Sequence, residues 1–361
     1  MKGHGILVFS LFPFLLSMSL DAQGRVRPPK DPVGFCWTAR AMEAVAQKAL
    51  ALEKDRLSES ARLVETPALA ALCPHDDHVY AGPVYLHALQ KVTAKDVVIL
   101  GVCHVAGKFG VKDVLVFDTY PAWKGPWGPV PVSPLRKEVL KLLPREMVLV
   151  SDPVQEAEHS TEAILPWLQW KRRDVRILSI LVPRSGEERL LRMARALAEA
   201  LVRASRKLGM EPGKDFALVV SNDCVHYGDR GWRGRDLAPF GAGRAGYERA
   251  VALDRTLCRE FLAGPPSLEK ARGLFERLND PSTLEAKIYW CGRFSVPFGE
   301  ALLAELVPLL GLKSVPRGVF LRYGTSLDPG RIQVDLPPLG VTAPANLHHW
   351  VGYAALAWPL P

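Results

Sequence analysis

Four consecutive residues, His75-Asp76-Asp77-His78, carry two imidazoles and two carboxylates, and a further histidine, His104, closes the apolar run Val98-Ile99-Leu100-Gly101-Val102-Cys103. Imidazole and carboxylate are the groups that suit iron, zinc, copper or manganese. A single histidine after a strand is more often a hydrogen-bonded structural residue than a ligand. His75 and His104 each follow an apolar strand-like run, and strand ends of an open α/β sheet converge on one crevice. The pair therefore reads as a metal site.

Proton chemistry falls to His159. Glu156, about one helical turn earlier, is placed to hold one ring nitrogen and fix the tautomer, leaving the other nitrogen as a general base. The bland alternative for His159 is a place at the start of a helix beside a capping Ser160. His78 could equally pack against its own loop, His87 sits on a helix face, and His348-His349 reads as a solvent-facing loop pair. Cys224 reads as a small buried hydrophobe. Asp254 and Arg293 read as structural hydrogen-bonding partners. The basic groups Lys171-Arg172-Arg173 and Arg230 to Arg235 read as solvated.

The elements that must position these residues alternate along the chain. Helical spacing runs over 37–57, 83–92, 135–143, 160–169, 187–208, 247–262, 268–277 and 296–310, with Ser267 placed as a cap. Strands are expected at 69–73, 97–100, 114–117, 147–150, 175–182, 216–220, 319–323 and 351–357. Several are continuous apolar runs, as in a sheet covered on both faces. Residues 118–133, rich in Pro, Gly and Trp, read as an irregular loop. This alternation predicts an α/β three-layer sandwich with a largely parallel or mixed central sheet, in one domain over 36–361.

Composition narrows the class. The chain has 361 residues, 48% hydrophobic and 23% charged, and a formal charge of +8. Its Lys and Arg are scattered rather than gathered into a stripe with aromatics, which argues against a nucleic-acid partner. Met1-Lys2, the apolar stretch 6–20 and Asp21-Ala22 read as a signal peptide over 1–22. Pro13 and the shortness of the run argue against a membrane span. An exported protein without a stable membrane span after processing is expected, with residues 23–35 a flexible tether. Six scattered cysteines form no CxxC pair, so a zinc knuckle is not expected; Cys73 and Cys103, near neighbouring strand ends, could pair.

Several ordered motifs carry a family resemblance: Pro74-His75…Tyr80-Ala81-Gly82, Leu100-Gly101-Val102-Cys103-His104, Trp127-Gly128-Pro129-Val130-Pro131-Val132, Glu158-His159-Ser160-Thr161-Glu162…Leu165-Pro166-Trp167-Leu168, Ser221-Asn222-Asp223…His226-Tyr227-Gly228 and Cys291-Gly292-Arg293. They resemble the Memo family, whose bacterial branch is the AmmeMemoRadiSam system protein B. The resemblance implies the fold of class III extradiol dioxygenases and a metal held by His75 and His104. It places a third ligand, cysteine in some members, at Val225. With Cys224 one residue earlier, and so on the opposite face of a strand, His226 or Asp223 is expected to serve, or water to complete the shell. Asp76-Asp77-His78 departs from the family's Ala-Gly-Tyr and adds three ligands or proton carriers. His159 matches a histidine that borders the site in relatives.

The resemblance and the residues together predict a metal-binding protein, a non-haem iron- or copper-dependent oxidoreductase of dioxygenase-like architecture acting on an unidentified small molecule. Fe(II) is the expected metal, with copper or zinc as alternatives. The competing readings are a metal-dependent hydrolase and a non-catalytic metal- or partner-binding protein.

Overall fold

The computed structural model describes residues 25–361; the expected signal peptide lies outside the described residues. A nine-stranded sheet forms the middle layer. Its order is Asp223–Tyr227, Trp350–Pro359, Ala68–Cys73, Phe216–Ser221, Asp96–Val102, Arg176–Val182, Leu115–Phe117 and Val148–Val150, with Val319–Thr325 also paired to Trp350–Pro359. The four strands from Ala68–Cys73 to Arg176–Val182 are mutually parallel, and antiparallel pairs flank them on both sides. The sheet is mixed, with a parallel centre.

Alternation along each central strand builds two cores. Val98, Leu100, Leu178, Ile180, Leu218 and Val220 face helices Leu135–Leu142, Glu187–Lys207, Arg244–Phe261, Leu268–Leu278 and Ser295–Leu310. Val97, Ile99, Ile177, Ala217 and Val219 face helices Ala39–Leu63, His78–Leu89 and Leu165–Lys171. Two-sided burial is why these strands read as unbroken apolar runs, and helices cover both faces as the three-layer expectation requires. Ser267 caps its helix by accepting from the Lys270 amide. No helix among the described residues is long and apolar enough to cross a membrane.

Two stretches differ from expectation. Residues 25–35 do not behave as a tether. Val26–Arg27 pairs with Ala122–Trp123, which in turn pairs with Val130–Pro131, so the Pro- and Trp-rich loop forms a small second sheet. Arg27 is 1% exposed and forms a buried ion pair with Glu162. Glu162 also accepts from the amides of Lys30 (2.9 Å) and Asp31 (2.8 Å). The segment's polar composition hid this, because its buried charge is matched by a carboxylate far along the chain.

The helix expected from Ser160 begins at Leu165 instead. Ser160 Oγ donates to the Val102 carbonyl, and Glu158 accepts from the amides of His159 and Ser160. These bonds hold 159–164 in turns against the sheet.

Candidate metal site

Strand register assembles the site. Cys73 lies opposite Ser221 in parallel pairing, so His75 and Asp223, each two residues further on, emerge side by side. His75 N–H donates to Asp223 Oδ1 at 2.8 Å, and the Asn222 amide donates to the Cys73 carbonyl. The next strand over ends at Val102 and delivers His104 from the same sheet edge. The rings of His75 and His104 are 5.2 Å apart, centre to centre.

Hydrogen bonding fixes which nitrogen of each ring faces the site. Ser221 Oγ donates to the Ser160 carbonyl at 2.8 Å, so it can only accept from His75 Nδ1, also at 2.8 Å. His75 Nε2 is left with its lone pair, buried, without a hydrogen-bond partner among the described residues and 3.4 Å from Asp223 Oδ2. His104 Nδ1 meets Glu158 Oε1 at 2.8 Å, and a carboxylate can only accept, so His104 Nε2 is also the free donor atom; it lies 3.2 Å from Cys291 Sγ. His226 repeats the pattern: Nδ1 donates to the Cys224 carbonyl, and Nε2 lies 3.4 Å from the same Cys291 Sγ. Pinning one imidazole nitrogen to an acceptor is how proteins orient metal-binding histidines.

The sets His75–His104–Cys291 and Asp223–His226–Cys291 each present one ligand atom per residue within 4.8 Å of one another, as do His104–Glu158–His159. Burial drives the pKa of His75 well below its ordinary value and those of His159 and His226 down to about 4. These imidazoles are neutral at pH 7, the form that binds metal. Burial pushes the Cys291 thiol up, and the carboxylates of Asp223, Asp76 and Glu158 add to it. A cation is what would favour its thiolate. Imidazole nitrogens around one sulfur, with a carboxylate beside them, fit a transition metal such as iron, copper or zinc.

Cys291 was matched only as part of a Cys-Gly-Arg turn, with no role assigned. Its amide donates to the Asp223 carbonyl (3.0 Å), and Gly292 N–H donates to Asn222 Oδ1 (2.9 Å). A Cβ at Gly292 would stand 2.5 Å from that Asn222 oxygen, so glycine is required for the turn to reach the strand end. Cys224, fully buried, joins the helix-covered core.

Glu156 requires a correction. It was expected to hold His159 by helical spacing, but the short helix Asp152–Glu156 ends there, and Glu156 accepts from the Tyr120 hydroxyl instead. Glu158, 2% exposed, holds both histidines: it binds the His104 amide and ring, accepts from the His159 amide at 2.8 Å, and lies 3.5 Å from His159 Nδ1. Burial alone would raise the pKa of Glu158, yet His104, His159 and the Ser160 amide hold it well below the usual carboxylate range. His159 stacks on His104 with centroids 4.6 Å apart and faces Phe35 on its other side.

The Asp76-Asp77-His78 departure is largely structural. His78 begins a helix; its Nδ1 accepts from the Cys36 amide and its Nε2 donates to the Ala163 carbonyl. Asp77 accepts from the Thr342 amide at 2.6 Å, and Asp76 accepts from the Tyr353 hydroxyl at 2.5 Å. His87 is bound between Ser60 and Glu53. Asp254 accepts from Trp290, Tyr323 and the Val225 amide. All six cysteines are free, including Cys73 and Cys103.

A cleft of about 530 Å³ opens onto the site, lined by His75, His104, His159, Asp223, His226 and Cys291 together with Phe35 and Trp232.

Comparison with known proteins identifies the family. The profile of the Memo-like protein family matches residues 43–272. A MEMO1 family protein of Methanosarcina barkeri is 30% identical over 180 residues, covering 49% of this chain and 62% of the relative. One from Methanococcoides burtonii is 26% identical over 185 residues, covering 51% and 64%. One from Methanothermobacter thermautotrophicus is 25% identical over 187 residues, covering 51% and 61%. The matches span somewhat less than two thirds of these relatives' lengths. With the family profile covering well over half of the chain, this protein belongs to the Memo-like family.

Proposed function

We propose that the protein is a metal-dependent oxidoreductase that uses iron(II), or copper in its place, to oxidise a small molecule in the 530 Å³ cleft. The observation that carries this reading is the gathering of His75, His104 and His226 about Cys291, each ring pinned at Nδ1 by an acceptor. His75, His104 and Cys291 would hold the metal, with Asp223 and His226 adjoining. A redox metal so held supplies electrons and open coordination positions for dioxygen chemistry. The chain's own residues supply the proton handling. His159 Nδ1 faces Glu158, which leaves Nε2 to accept a proton from a substrate hydroxyl. Phe35 and the stacked His104 keep that ring in place.

A donor set that includes a thiol also serves hydrolytic zinc sites, in which bound water is the nucleophile. Metal identity separates the two readings. Elemental analysis of purified protein should find iron or copper, and the His75→Ala/His104→Ala variant should lose it. Iron-loaded protein should consume dioxygen with catechol-type substrates. Tightly held zinc, with no dioxygen uptake under any metal, overturns the oxidoreductase reading. Export, through a signal peptide at 1–22, is part of the same proposal; amino-terminal sequencing of the mature protein tests it.

A further inference from the structure

The basic run Arg230 to Arg235 is built into the wall of the cleft. Gly228 and Gly231 have φ of 132° and 80°. A Cβ on them would stand 1.9 Å from the His348 carbonyl oxygen and 2.5 Å from His349 Nδ1. These glycines let the loop lie directly on residues 348–349. The Arg230 amide donates to the His348 carbonyl at 3.2 Å, and His348 Nδ1 meets Asp229 Oδ1 at 2.7 Å. Trp232 stacks on the His349 ring, 3.8 Å away and within 9° of parallel. His349 is 6% exposed and lines the cleft. Its Nδ1 donates to the Arg230 carbonyl, and its Nε2 is buried with no partner among the described residues.

This staple presents two guanidinium groups. Arg233 has φ of 55°, a region that non-glycine residues seldom occupy and that persists where the surroundings impose it, often at ligand clamps. Arg233 and Arg235 line the same cleft as the metal-site histidines, both are exposed, and neither has a carboxylate partner among the described residues. The acidic residues that line the cleft are engaged: Asp76 by Tyr353, Asp77 by Thr342, Asp223 by the His75 amide, and Asp31 by the amides of Val33 and Gly34. Next to the arginines, Leu237 and Tyr289 separate the cleft from an apolar recess of about 270 Å³.

We propose that the cleft takes a small organic acid, its carboxylate held by Arg233 and Arg235 and its apolar body lying against Trp232, Leu237 and Tyr289. The planar guanidinium fork matches a carboxylate in shape and charge. A loop anchored on His349 lowers the ordering cost of binding. The net charge of +8 favours the approach of an anion. This inference rests on the reading of His75, His104 and Cys291 as the reaction centre and names the substrate class for it.

Calorimetric titration of chelator-treated and metal-loaded protein with benzoate, benzamide, acetate and inorganic phosphate tests it. Benzoate should bind about tenfold more tightly than benzamide, the worth of a charge-assisted hydrogen bond, and more tightly than acetate or phosphate. The preference should persist without metal and vanish in Arg233→Gln/Arg235→Gln, while Arg195→Gln on a distant helix leaves it unchanged. Gly231→Ala, which presses on His349, should weaken benzoate binding without lowering metal content. Equal binding of benzoate and benzamide, binding of neither, phosphate matching benzoate, or a preference indifferent to the arginines overturns the proposal. A preference lost on metal removal but unaffected by the arginine changes would place the anion on the metal, overturning this inference and leaving the metal reading intact. Benzoate selectivity in a protein that shows no dioxygen uptake would sink the oxidoreductase reading alone.

Discussion

Glu158 grips His104 at two points, Oε2 taking the backbone amide at 2.6 Å and Oε1 the ring Nδ1 at 2.8 Å. The same Oε1 takes the His159 amide, so one buried carboxylate sets the tautomer of a ligand and the place of the proposed base. Glu158→Gln nearly preserves shape but replaces one acceptor with a donor. It should lower metal affinity by about 10- to 100-fold, as loss of such outer partners does, with the fold retained. A chelator-competition titration measures this. Unchanged affinity would mean that Glu158 does not orient His104.

Cys291 contributes the only sulfur in the site's three donor groups. Cys291→Ser keeps a small polar group but removes the thiolate that softer metals prefer. The variant should lose at least about tenfold in affinity for copper(I) or zinc while magnesium and manganese binding stay weak and unchanged. Metal-loaded spectra should also lose any thiolate-to-metal charge-transfer band. Retention of affinity, with no thiolate band in the parent protein or the variant, would assign the site to His75, His104 and Asp223 alone.

Apolar runs announced the sheet, because strands buried on both faces leave little room for polar residues; Val97 to Leu100 and Phe216 to Val220 show this. His75, His104, Asp223 and His226 were legible because each follows such a run, and parallel register then brings equal offsets together. Cys291 follows no strand of its own. It reaches the site through a turn whose contacts with Asp223 and Asn222 are long-range, and a motif match was its only trace in the sequence. Glu156 stands about one helical turn before His159 in sequence, but the helix Asp152–Glu156 ends there and Glu158 is the carboxylate that meets His159. Arg230, Arg233 and Arg235 are exposed, as the sequence suggested; the docking of their loop on His349 was not legible, because the glycines that permit it carry no signal of what they touch.

The segment taken for a tether should prove to be part of the folded domain. Arg27 and Glu162 are 1% and 0% exposed as side chains. Removing one partner of a buried pair leaves an uncompensated charge, at a cost of about 3–5 kcal/mol. Arg27→Met should therefore destabilise strongly, and Arg27→Met/Glu162→Gln should recover much of the loss. Because Asp31 and Phe35 line the cleft, the single variant should also weaken metal retention. Urea unfolding curves for the two variants decide this; a harmless Arg27→Met would restore the tether.

Glu300 sets a pH dependence remote from the metal site. It lies in the helix Ser295–Leu310, 2% exposed, with Oε1 accepting from the Ser267 amide and Oε2 unpartnered among the described residues. Burial raises its pKa from 4.5 to about 8, despite the opposing Ser267 amide and Lys270. Below about pH 4.5 the carboxyl is protonated in both folded and unfolded chains and costs nothing. Between there and about pH 8 the unfolded chain gives up the proton that the folded chain keeps, so stability falls as pH rises; beyond that the loss is complete. The size is on the order of a few kcal/mol, since each pKa unit corresponds to about 1.4 kcal/mol. Glu300→Gln keeps an acceptor for Ser267 and removes the titration. Its stability relative to the parent should increase from pH 5 to pH 9 in denaturant unfolding, and a difference that stays flat across that range would show that the carboxyl ionises freely in the fold.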